Sequence, residues 1–159
     1  MDDTTPTAAE RTVLDEPEGE RPLIVMGMLS SDGNYGLRMS QRRTWLSHPR
    51  FLHRFLLDRE TPELLEEQKL HRDLVFLNAT FSGAMKGFGE KLLLWLRYAH
   101  REFPHVPLIA KVDDDVYVCP DEMEEQLNKA NHPRCYAGFH HAAGLWKKDN
   151  IVNETRRFN

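Results

Sequence analysis

The sequence predicts an α/β domain with a mainly parallel sheet flanked by helices, and three observations lead there. Short apolar runs of strand length alternate along the chain with segments of helical period. The first run, Leu23-Ile24-Val25-Met26-Gly27-Met28-Leu29, is apolar throughout, as in a strand covered on both faces. Turn residues and prolines, as at residues 30–36, Pro62, Pro104, Pro107 and Pro120, mark where strands and helices begin and end.

Taken in order, residues 1 to about 21 are rich in Asp, Glu, Thr and Pro and nearly devoid of large apolar side chains. They are expected to form a disordered acidic stem or tail, leaving residues 22–159 as the folded domain. After the first strand, residues 30–36 read as a loop and residues 37–46 as a helix, with a second strand around residues 54–57. Thr61-Pro62-Glu63 supplies an N-cap, a first-turn proline and a dipole-favourable acid, opening a helix to about His71. Residues 73–77 form a third strand. Across residues 87–103, Phe88, Leu92, Trp95, Leu96, Ala99 and Phe103 recur near helical spacing, which predicts a long amphipathic helix. Its aromatic set, Phe88, Trp95, Tyr98 and Phe103, is expected in the core. Residues 108–112 form a fourth strand that ends at Asp113-Asp114-Asp115. Pro120-Asp121-Glu122 starts another helix with Met123, Leu127 and Ala130 on one stripe and Glu124-Glu125 on the solvated side. Residues 135–139 read as a last strand, and residues 140–159 show no clear period.

A length of 159 residues suits one domain, and the formal net charge of −4 argues against a general nucleic-acid binder. No stretch approaches the roughly 20 apolar residues of a membrane span. Met1 leads into acidic and polar residues rather than a signal peptide. Cys119 and Cys135 are too few for a disulfide scaffold and leave one bridge or two thiols open. Sequons at Asn78 and Asn153 hint at a secretory lumen.

The segment most loaded with chemistry is Lys111-Val112-Asp113-Asp114-Asp115-Val116-Tyr117-Val118. Adjacent carboxylates repel, and Asp is depleted from strands, so a cluster between apolar flanks is most readily tolerated beside a cation. In an extended chain Asp113 and Asp115 share a face and Asp114 points away. An oxygen-only set of this kind suits Mg²⁺ or Mn²⁺ bridged to phosphate. Its position at a strand end is where open parallel sheets bind ligands. A second group, Arg38-Met39-Ser40-Gln41-Arg42-Arg43-Thr44-Trp45, sets Arg38 and Arg42 on one helical face and turns Arg43 away. Guanidinium groups so placed suit phosphate, although a solvated basic face is the plainer alternative. The adjacent pair His140-His141 has no zinc spacing around it and is read as structural.

Arg38, Arg42, Thr44 and Trp45 shortly after the first strand, followed by Lys111, Asp113, Asp114, Asp115 and Val116, resemble the inverting β-1,3-galactosyltransferase and N-acetylglucosaminyltransferase family of Golgi enzymes (glycosyltransferase family 31). Glu66 and Glu67, the strand opened by Asp73, and Lys91 line up as well, so the resemblance covers about residues 22–138. It implies a nucleotide-sugar-binding, GT-A-like fold. The implied function is a UDP-sugar-dependent hexosyltransferase moving galactose or N-acetylglucosamine to a glycan acceptor on protein or lipid, in β-1,3 linkage with inversion. Mn²⁺ or Mg²⁺ would be held by Asp113 and Asp115, and the donor by Arg38, Arg42, Lys91, Asp113 and Asp114. The implied location is the lumenal side of the Golgi membrane, reached through an anchor this sequence does not contain. The family's tyrosine-containing stretch is replaced here by Phe88-Gly89-Glu90-Lys91-Leu92, which keeps only the lysine. The later segments that bear acceptor contacts and the catalytic base have no counterpart, so no base is assigned. The sequence is thus expected to be the donor-binding portion without its acceptor half. The alternative is a truncated, non-catalytic UDP-sugar-binding homologue.

Overall fold

The computed structural model describes residues 21–79 and 87–130. The expected stem (Arg21 apart), the strand at 135–139, Cys135, His140-His141 and the sequon at Asn153 lie outside the described residues. Four strands, β1 (Ile24–Leu29), β2 (Phe51–Leu57), β3 (Leu74–Phe76) and β4 (Leu108–Asp113), pair entirely in parallel in the order β3-β2-β1-β4. Helices α1 (Tyr35–Arg43), α2 (Pro62–His71), α3 (Phe88–Glu102) and α4 (Pro120–Ala130) connect or follow them. The α/β class predicted from alternation is the one observed.

β1 is the central strand, and its alternation divides the core into two layers. Ile24, Met26 and Met28 pack with Trp45, Leu46, Phe55, Leu57 and Leu64 on the face covered by α1 and α2, joined by Met123 and Leu127 of α4. Val25 packs with Leu56, Val75, Trp95 and Ala99 on the face covered by α3. Burial on both sides explains why β1 is apolar without alternation. Gly27 is required by contact rather than by dihedral freedom. A β-carbon there would lie 2.4 Å from Cε2 of Trp95, whose indole Nε1 donates to the Ala110 carbonyl at 2.8 Å.

Several boundaries differ from expectation for local reasons. Residues 30–36 are not all loop: a 3-10 turn over Asp32–Asn34 runs directly into α1 at Tyr35. α1 stops at Arg43, where Thr44 turns its hydroxyl back to the carbonyl of Ser40 and a separate 3-10 turn, Trp45–Ser47, follows. β2 starts at Phe51 rather than near Arg54, because parallel pairing with β1 begins at Ile24 opposite Phe51. Thr61 caps α2 as expected, its hydroxyl accepting from the Leu64 amide at 3.3 Å. Glu124, expected in solvent, instead pairs with Arg50 and approaches His48 within 3.7 Å, tying α4 to the segment before β2.

The chain winds outward from β1 through β2 to β3. It then crosses back along α3 to add β4 on the other side of β1. The winding direction therefore reverses between β1 and β4, whose ends align with Leu29 opposite Asp113. In open α/β sheets the crevice beyond such a reversal is where ligands bind.

Candidate functional site

The aspartate run begins at that reversal. β4 ends at Asp113, and Asp114 and Asp115 form a turn, closed by the Val116 amide reaching the Asp113 carbonyl at 3.4 Å. The extended geometry that would alternate the three carboxylates therefore stops at Asp113. Asp114 is the buried member: its Oδ2 accepts from Asn34 Nδ2 at 2.9 Å, and its carbonyl accepts from Gln41 Nε2 at 2.7 Å. Gln41 also donates to the Val116 carbonyl at 3.2 Å, so one buried amide grips both ends of the turn. Asp113 is exposed and takes Lys111 Nζ at 2.5 Å on Oδ1. Lys111 in turn stands 4.8 Å over the ring of Phe88. Phe88 was expected in the core but is 41% exposed, whereas Trp95, Tyr98 and Phe103 pack as expected. Asp115 is exposed and makes no hydrogen bond or ion pair with a described residue.

A concavity of about 140 Å³ lies between α1 and this turn, lined by Leu37, Ser40, Gln41, Trp45, Asp115 and Tyr117 among others. Among the described residues no three His, Cys, Asp or Glu side chains form a ready-made metal cage. The carboxylates of Asp113 and Asp115 are exposed, and carboxylate oxygens are the donor type that hard divalent cations take.

Arg38 and Arg42 share a face of α1 as expected, and Arg43 points to solvent. Their guanidinium groups meet carboxylates of this chain. Arg38 is fully buried: Nε and Nη2 donate to Glu67 at 2.9 and 2.6 Å, and Nη1 donates to Ser30 Oγ and the Ser31 carbonyl at 2.9 and 2.6 Å. Arg42 makes a bidentate pair with Asp73, both bonds at 2.8 Å, donates to Glu67 at 2.6 Å, and covers the Phe55 ring at 4.8 Å. His53 Nε2 lies 3.1 Å from Asp73. Burial alone would raise the carboxyl of Asp73, but hydrogen bonds from His53 and Arg42 outweigh it and hold it well below the usual carboxylate range. Glu67 is lowered in the same way, burial being overcome by Arg38 and Arg42. Burial opposes the charge of Arg42 too, yet Asp73 and Glu67 raise its pKa above the ordinary guanidinium value.

α1 and α2 both start near the carboxyl ends of the strands and run back along the sheet. Arg38 therefore anchors the segment that leaves β1 toward the site, while Arg42 lies one turn farther from the strand ends. Lys91, in the first turn of α3, pairs with Asp58 at 2.6 Å, just past the end of β2. The structure thus brings Asp113, Asp114, Asp115, Lys91 and the Arg38-held loop to the carboxyl edge of the sheet. Sequence reasoning missed Asn34, Gln41 and Asp58. Gln41 had a signal, since it follows Arg38 by one helical turn, whereas Asn34 read only as a turn residue.

A parallel sheet flanked by helices, with an acidic turn at its winding reversal, is an α/β architecture consistent with a GT-A-like fold. The sequence model of the family described as galactosyltransferase matches residues 37–153, and this chain belongs to that family. It is 26% identical over 132 residues to beta-1,3-galactosyltransferase 5 of Homo sapiens, covering 74% of this chain and 41% of the relative. The same protein of Gorilla gorilla gorilla matches at 26% over 132 residues, with 74% of this chain and 43% of the relative covered. The chain spans about two fifths of the length of these curated relatives.

Proposed function

We propose that this chain forms the donor-binding part of a hexosyltransferase that moves galactose or N-acetylglucosamine from a UDP-sugar to a glycan acceptor in β-1,3 linkage with inversion. The observation that supports this best is the aspartate turn at the winding reversal, with Asp115 exposed and Asp114 held from α1. Asp115 and Asp113 would hold Mn²⁺ or Mg²⁺, which supplies charge stabilisation for the departing diphosphate. Asp113 would exchange its contact with Lys111 for the cation. Asp114, fixed in place by Asn34 and Gln41, would meet the ribose or donor sugar. Lys91, steadied by Asp58, would add positive charge at the same edge. Arg38 and Arg42 would shape the pocket through the loop and helix they hold. The setting we propose is the Golgi lumen, acting on glycans of protein or lipid. Among the described residues no helix is long and apolar enough to cross a membrane.

A second reading, a UDP-sugar-binding homologue without turnover, draws support from the buried carboxylates. Inversion requires a base to deprotonate the acceptor hydroxyl. Glu67 and Asp73 are buried, doubly paired and held ionised below the usual range, which makes them poor proton acceptors near neutral pH.

Titration calorimetry of UDP with Mn²⁺ and with a chelator tests the donor site. Mn²⁺ should tighten UDP binding, and Asp115→Asn should weaken the Mn²⁺ complex by roughly 10–100-fold, the loss of one charged contact. Metal-independent binding by the unmutated chain would remove the metal role.

A further inference from the structure

The carboxyl group of Asp114 has little access to water, and its hydrogen-bond partners come from α1 and the residue just before it rather than from its own strand. Asn34, the last residue before α1, donates to its carboxylate at 2.9 Å across a separation of 80 positions in sequence. Gln41, only 5% exposed, donates to the carbonyls of Asp114 and Val116 on either side of Asp115. Its own Oε1 is buried without a partner, so the side-chain amide is oriented by what its nitrogen donates to. The loop bearing Asn34 is fixed in turn by Arg38, which grips Ser30 and Ser31 and is anchored on Glu67. A continuous run of contacts thus leads from the ionic cluster to the aspartate turn. Since Gln41 holds the carbonyls flanking Asp115, the direction in which the exposed Asp115 carboxylate leaves the turn is set from α1.

We infer that Asn34 and Gln41 are positioning residues for the aspartate turn: Asn34 orients the Asp114 carboxylate, and Gln41 sets the backbone from which Asp115 projects. This rests on the donor-site reading above. The physical reason is preorganisation. A short loop of three repelling carboxylates samples many arrangements, and side-chain amides that donate to it select one before the ligand arrives. Neither residue needs to touch the ligand.

The test uses the full chain, with UDP and Mn²⁺ as probes in titration calorimetry and thermal unfolding as a parallel measurement. Asn34→Ala should weaken UDP binding in Mn²⁺ by about tenfold, as for loss of a hydrogen bond to a charged group. Asn34→Asp keeps the shape but faces Asp114 with a second carboxylate, so it should bind worse than Asn34→Ala. If Asn34 merely fills space, the near-isosteric Asp should be the milder change. An affinity order of Asn, Ala, Asp supports the inference, and Asp equal to or better than Ala overturns it. Gln41→Met, which removes both donated bonds at similar volume and adds no charge, should likewise lower affinity, by more than its loss of thermal stability accounts for. If binding falls only in proportion to lost thermal stability, Gln41 is structural and that half is overturned. Asp115→Asn separates the two levels. Mn²⁺-dependent binding unaffected by Asp115→Asn, or no UDP binding by the parent, rejects the donor-site reading and the inference with it. Loss in Asp115→Asn alongside parent-like affinity in the Asn34 and Gln41 variants rejects the inference alone.

Discussion

Glu67 receives hydrogen bonds from two guanidinium groups, and Asp73 from a guanidinium and an imidazole, all with little access to water. Removing one partner from such a cluster leaves a buried charge uncompensated, so Asp73→Asn should cost about 3–5 kcal/mol in denaturant unfolding. Lysine keeps the charge but cannot reproduce a bidentate fork. Arg38→Lys and Arg42→Lys should therefore each cost about 1–3 kcal/mol. Arg43→Lys, on the exposed side of α1, should stay within about 0.5 kcal/mol of the parent. Equal effects at all three positions would mean that the face of α1 acts only through its net charge. The arginines were legible in the sequence as a pair on one face, but their carboxylate partners were not. Glu67 and Asp73 are 25 and 31 positions away from Arg42, and nothing in local spacing selects them over exposed neighbours such as Glu66.

At the scale of elements, two glycines separate packing from propensity. Gly27 lies under the Trp95 indole, which cannot retreat without losing its bond to Ala110. Gly27→Ala should destabilise the sheet by at least about 1–3 kcal/mol, the usual cost of overpacking. Gly36 lies inside α1, and a β-carbon there would meet nothing within 4 Å. Gly36→Ala should raise stability by up to about 1 kcal/mol. Denaturation midpoints of the two variants moving in the same direction would contradict this account of β1 and α1. The strands and helices were largely legible because apolar period and turn chemistry are local. The early start of α1 and of β2 was not, since one continues a 3-10 turn and the other is set by pairing with β1.

For the whole molecule, the carboxylates of the ionic cluster give stability a definite pH dependence. Both are held below their unfolded values of about 4. Their contribution is thus complete above that range and is lost as the pH falls through the lower folded values. The melting temperature should be flat in this respect from pH 6 to 8 and fall below about pH 4.5. Asp73→Asn should have a shallower acid limb, and an unchanged slope would show that other groups govern acid unfolding. On activity, general-base assistance is worth roughly 10²–10⁴-fold. Glu67 and Asp73, buried, paired and held ionised, are poor bases, so on the second reading above the 159-residue chain should show at most slow UDP-sugar hydrolysis. Robust metal-dependent transfer to galactosides or N-acetylglucosaminides would place a base within this chain, and Asp149 and Glu154 would be the first residues to mutate.

The residues alone determined the α/β class, the succession of strands and helices, the family resemblance and the clustering of three carboxylates after the fourth strand. Each of these depends on residue type and short spacing. The tertiary structure decided what those groups meet. The arginines meet Glu67 and Asp73, Lys91 meets Asp58, and Asp114 meets an asparagine 80 positions away, because the parallel crossovers bring α1 and α2 side by side and return β4 to the edge of β1. Long-range partners of this kind follow from topology. No periodicity within a single segment encodes them.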